Sequence, residues 1–165
     1  MARRSRITVT ALKRAHELVP GAPPLIVPAA RRCADRLNDA LAWFDAEEAA
    51  PARRGRPADL RRLLLFHRLA DTFEELTERP FAVAVDQATN EARGAALEWT
   101  LAVLGGTALA AWATARREAV ATWIKRARHH AIDLDVALVL AERGPAEAAA
   151  ARPRPGRKKK SAGLF

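Results

Sequence analysis

The chain of 165 residues has no Tyr, one Cys, one Met, and only five Phe and four Trp. So few aromatic rings exclude an aromatic-rich β-sandwich or a platform on which successive bases stack. The single Cys33 excludes an intrachain disulfide framework and a cysteine-based zinc site, and it fits a reducing compartment. The opening residues, MARRSRITVTALKRAHEL, lack the apolar run and small-residue cleavage site of a secretory signal, so a cytoplasmic location is expected. A long hydrophobic run is also missing. Trp99 to Ala115 carries no charge, but Leu101, Val103, Leu104 and Leu109 are its only strongly aliphatic members. Thr and Gly dilute them, so a buried helical hairpin about Gly105-Gly106 is expected there, and no stable membrane insertion.

What is abundant is Ala and Arg. The formal charge is +9, unevenly distributed. Residues 1–60 hold 11 Lys and Arg against 7 Asp and Glu, residues 61–150 hold 11 against 12, and residues 151–165 hold 6 against none. The body is close to neutral and the positive charge lies towards the ends and a central linker, a pattern suited to arms near a polyanion.

Apolar periodicity predicts a mainly α protein, a helical bundle with one short β-strand or hairpin and a disordered basic C-terminal tail. The expected organisation is a basic arm over 1–7, a single helical domain over 8–143 with a linker at 50–57, and a tail over 144–165. A first helix is expected from about Thr8 to Val19, ending at the breakers Pro20-Gly21-Ala22-Pro23-Pro24. Ala29–Ala49 places Cys33, Leu37, Ala40, Leu41 and Phe44 on one stripe, with Cys33 as a small core residue. Ala58–Glu78 repeats the pattern through Leu60, Leu63, Leu64, Ala70, Phe73 and Leu76. Its basic residues precede its acidic ones, against the helix dipole, so packing must hold it. Phe81–Val85 suits a strand before a turn at Asp86–Asn90, Gly94 opens a helix over Ala95–Leu104, and a long helix should run from an N-cap at Thr107 to about residue 131. A last helix is expected from Asp133 or Asp135 to Arg143, stopped by Gly144-Pro145.

No phosphate-cradling glycine loop, nucleophile elbow or thiol–histidine signature occurs, so the expectation is a protein that is not an enzyme and takes no cofactor or metal. His67, Asp71, Glu74, Glu75 and Glu78 share helical spacing, and His129-His130 precede Asp133, yet no Glu-x-x-His pair is present. A solvated charged face accounts for both groups.

Two segments carry concentrated positive charge. One is the tail, with Arg152, Arg154, Arg157, Lys158, Lys159 and Lys160, an electrostatic footprint for nucleic acid or an anionic membrane, or a solubilising extension. The other is the linker, with Arg53, Arg54 and Arg56. Its Arg54-Gly55-Arg56-Pro57 resembles the core of an AT-hook, and its Gly-Arg-Pro resembles the arm that DNA invertases and resolvases lay in the minor groove. That resemblance implies arginines running along the floor of an A·T-rich groove. Downstream, Ala58 and Asp59 stand where hooks carry basic residues. The same tetrapeptide also suits the entry to a helix, with Gly55 as breaker, Pro57 in the first turn and Asp59 at the positive end of the dipole.

A broader pattern spans Gly55 to Leu104: Gly55-Arg56-Pro57, then Asp71-Thr72-Phe73-Glu74-Glu75-Leu76-Thr77-Glu78-Arg79-Pro80-Phe81, the turn Asp86-Gln87-Ala88-Thr89-Asn90-Glu91, and Gly94. It resembles small bacterial proteins of unassigned role found with phage or integrated mobile elements. The chain departs from that pattern at Glu78, where the family has Gly, and at Ala95-Ala96, where it has a Pro-Phe pair. The resemblance implies a small helical domain and transfers no functional residues. Taken together, the expectation is an accessory or regulatory protein with weak binding to DNA, nonspecific or A·T-rich, through linker and tail. The alternative is a protein–protein interaction module or a homo-oligomer with no nucleic-acid role.

Overall fold

The computed structural model describes residues 6–48 and 57–129, with side chains over 6–42 and 62–128. The expected final helix, the linker arginines and the tail lie outside the described residues. Within them the chain is mainly helical: α1 (Val9–His16), α2 (Val27–Glu48), α3 (Pro57–Thr77), a hairpin of β1 (Ala84–Val85) and β2 (Ala92–Arg93), then α4 (Ala95–Leu104), α5 (Ala110–Ala115) and α6 (Arg117–His129). No described helix is long and apolar enough to cross a membrane.

Thr8 is the N-cap of α1, with extended backbone and its Oγ1 accepting from the Ala11 amide at 3.1 Å. The helix ends at His16, three residues short of the expected Val19. There the amides of Leu18 and Val19 turn back to the carbonyls of Ala15 and His16, the tight i to i−3 closure common at helix ends. His16 Nε2–H then donates to the Pro23 carbonyl at 2.7 Å and holds the proline connector against the helix. Ahead of α1, Asn38 of α2 grips Ile7 at both backbone groups: its Oδ1 accepts from the Ile7 amide (2.8 Å) and its Nδ2 donates to the Ile7 carbonyl (2.9 Å). Ile7 is buried.

The two long helices start where proline permits. Pro57 is the first residue of α3, a position at which a missing N–H costs no hydrogen bond. α2 and α3 run antiparallel: Arg36, in the first half of α2, pairs with Glu75, near the end of α3. Between α3 and the rest lies a core led by Leu65, Phe66, Leu69, Phe73, Phe81, Leu97, Trp99, Val103, Leu104 and Ile124, all essentially inaccessible. α4 is its centre, with Ala96, Leu97, Trp99, Thr100, Val103 and Leu104 buried. The Trp99 ring meets Phe73 edge-on at 5.4 Å, and Phe73 meets Phe81 at 5.5 Å, joining α3, α4 and the lead into the hairpin.

The strand expected at Phe81–Val85 shrinks to two residues. β1 pairs antiparallel with β2, Ala84 opposite Arg93 and Val85 opposite Ala92. Phe81 is drawn into the core and its amide donates to Glu74 Oε1 (2.9 Å), so the segment before Ala84 serves helix packing and not the ladder. Asp86 organises the turn, accepting from the Ala88 amide at 2.8 Å and pairing with Arg93 at 3.0 Å. Gly94 is required by its backbone, at φ +136°, a conformation that L side chains rarely adopt.

The single long helix expected from Thr107 is two helices. Thr107 is not an N-cap: its hydroxyl donates to the Leu104 carbonyl (2.7 Å) and accepts from the Leu109 amide (3.2 Å), bridging α4 to α5. The break falls at Arg116, with φ −132° and ψ 49°. A physical reason is visible in Phe66, whose ring lies 6.5 Å from Trp112 and 6.0 Å from Trp123. In one straight helix residues 112 and 123 would stand about 16 Å apart along the axis, too far to share that ring. The buried hairpin expected at Gly105-Gly106 is buried on its α4 side, whereas α5 exposes Ala111, Thr114 and Ala115.

Glu78 follows α3 in the left-handed region at φ +55°, where a Cβ is disfavoured. It is the position at which the resembled pattern carries Gly. Glu78→Gly should therefore stabilise the fold by about 0.5–1 kcal/mol, after allowing for the larger chain entropy of Gly. Thermal unfolding would show a midpoint raised by a few degrees, with Glu78→Ala unchanged.

Candidate nucleic-acid interface

Arg53, Arg54 and Arg56 of the linker, and Arg152, Arg154, Arg157, Lys158, Lys159 and Lys160 of the tail, lie outside the described residues, and so do His130 and Asp133. The described fold instead brings together a basic and aromatic face that sequence reasoning did not single out. Phe66 of α3, Trp112 of α5 and Trp123 of α6 form its apolar base. The Arg62 guanidinium lies over the Trp112 ring at 5.6 Å, and the Arg126 guanidinium over Trp123 at 4.9 Å. Stacking fixes a guanidinium plane without consuming its N–H groups, so an exposed stacked arginine keeps the donor fork that matches a phosphate.

The acids of α6 and its neighbours are engaged at the opposite end. Glu118, the only acid of α6, has its Oε1 accepting from the Ala92 amide at 3.3 Å. Arg117 pairs with Glu98, which holds the guanidinium pKa above its ordinary value, chiefly through that hydrogen bond. Further along, Lys125, Arg126 and Arg128 are exposed within a single turn, and among the described residues none forms an ion pair. The far half of α6 is thus a cationic strip beside Trp123, with no acidic partner among the described residues. Averaging over residues 61–150 hid it, because acids on other helices cancelled it in the sum. The spacing of Lys125, Arg126 and Arg128, mapped on a helix of its own, is the signal that would have found it.

The acidic stripe of α3 is engaged in structure. Glu75 pairs with Arg36, Asp71 lies 3.8 Å from Arg68, and Glu74 holds the Phe81 amide. Among the described residues no group of three His, Cys, Asp or Glu side chains could hold a metal ion. Comparisons with protein-family models, with curated proteins and with solved structures give no match.

Cys33 occupies the α2 stripe as expected, fully buried, with Arg36 Nη2 donating to its sulfur at 3.1 Å. Burial pushes the thiol pKa up, against the smaller pull of that donor. The folded thiol should resist alkylation at pH 8 and react at a rate set by unfolding, which denaturant-dependent labelling measures. Because the folded pKa is raised, this group's contribution to stability is complete below the ordinary thiol range. It is lost as pH rises from there through the folded pKa.

Proposed function

We propose that the chain is a non-enzymatic accessory or regulatory protein that attaches weakly and salt-sensitively to nucleic acid. The resemblance noted above would place it with a phage or integrated mobile element. The observation that carries the reading is the strip of Lys125, Arg126 and Arg128, exposed and without acidic partners among the described residues, with Arg126 stacked on Trp123. Cations held near a neutral body by a helix can contact successive phosphates, and the linker and tail arginines and lysines add contacts of the same kind. Arg54 and Arg56 are the residues assigned to an A·T-rich minor groove. Such contacts give affinity and little sequence discrimination.

Binding to an A·T-rich duplex, followed by fluorescence anisotropy, should weaken with salt. Engagement of the six tail charges alone gives a slope of log K on log salt near −5. Replacing Lys125, Arg126 and Arg128 together by Ala should flatten the slope by roughly 2–3, because each lost phosphate contact removes about 0.9. Arg54→Ala with Arg56→Ala should reduce the preference for A·T over G·C sequence. A salt-independent affinity, or none, removes the proposal.

A further inference from the structure

The connector between α1 and α2 presents apolar surface that the core does not use. Leu18, Ile26 and Val27 are 49%, 66% and 52% exposed, and among the described residues only Val85 joins them as a large exposed hydrophobic. His16 and Pro23 clasp the connector. Leu18 lies two residues after His16, and Ile26 and Val27 lie three and four after Pro23, so that hydrogen bond draws together the two segments that carry them. Cations flank the connector. Lys13 and Arg14 lie in the last turn of α1, Arg31 and Arg32 are exposed in the second turn of α2, and a Cβ on Gly21 would stand only 2.9 Å from Arg79 Nη2. Among the described residues none of these five forms an ion pair, and the acids nearby in sequence are Glu17, Asp35 and Glu78.

We propose that this connector is a peripheral contact for an anionic lipid surface, with Leu18, Ile26 and Val27 entering the boundary between headgroups and acyl chains and the five cations meeting the headgroups. The flanking cations favour an anionic surface, and a second copy of the chain would bring one set of cations against another, which opposes a symmetric pairing. The contact is shallow and reversible, since binding of this kind scales with buried apolar area plus attraction to anionic headgroups. It is separate from the α6 strip and does not depend on nucleic-acid binding.

The test is co-sedimentation of the full-length protein with vesicles of phosphatidylcholine alone and of phosphatidylcholine mixed with phosphatidylglycerol, at physiological salt. The wild type should bind the anionic vesicles and not the neutral ones. Ile26→Ser with Val27→Ser should weaken binding by roughly tenfold or more, from the lost apolar burial. Leu18→Ser, on the other side of the connector, should act in the same direction. All three positions are exposed, and unchanged circular dichroism and unchanged duplex affinity verify that each variant is folded. Absence of vesicle binding overturns the proposal. Undiminished binding by the Ser variants also overturns it, because the basic segments alone would then account for attachment. A wild-type dimer in sedimentation equilibrium that these variants dissociate overturns it in favour of a protein interface.

Discussion

The contact of Phe73 with Trp99 is the constraint on which the other packing decisions rest. α3 runs over 21 residues, yet its charges oppose its dipole, so it depends on what its apolar stripe meets. It meets α4, whose own surface is almost wholly buried and which could not remain helical in water alone. Phe81 closes the same aromatic group, and the hairpin follows from where that places the chain. Two paired residues on each strand could not persist without this support.

The break at Arg116 links packing to surface charge. By letting Trp112 and Trp123 share Phe66, it turns α6 so that its first turn faces β2 and α4. Glu118 and the Arg117–Glu98 pair brace that end. The remaining cations of α6 then stand at the other end, with no acidic partner among the described residues. A charge strip of this sort arises from where acids are employed and not from basic composition alone.

Several elements were legible because their limits are written locally. α4 begins after Gly94 and ends before Gly105 as the glycines suggest, and Pro57 opens α3. The break at Arg116 was not legible, since Ala-Thr-Ala-Arg-Arg contains no breaker and the cause is a ring on another helix. The grip of Asn38 on Ile7 joins residues 31 apart, and an Asn on a helix surface gives no sign of such a partner. Glu78 was legible only as a departure from a resembled pattern, and the positive φ supplies its meaning. Of the candidate binding residues, the linker and tail were conspicuous because their charges are consecutive. The α6 strip was lost in a charge sum that mixed it with the acids of other helices.

The Asn38 amide acts towards Ile7 as an adjacent strand would, although no strand is there. Protection of the Ile7 amide from solvent exchange is consequently governed by α2 and not by the helix it precedes. Opening of α2 near its middle would release the start of the packed chain at the same moment. Ile7 is thus a remote reporter on the integrity of the second helix, and an attachment placed before it would be held or freed by events in α2.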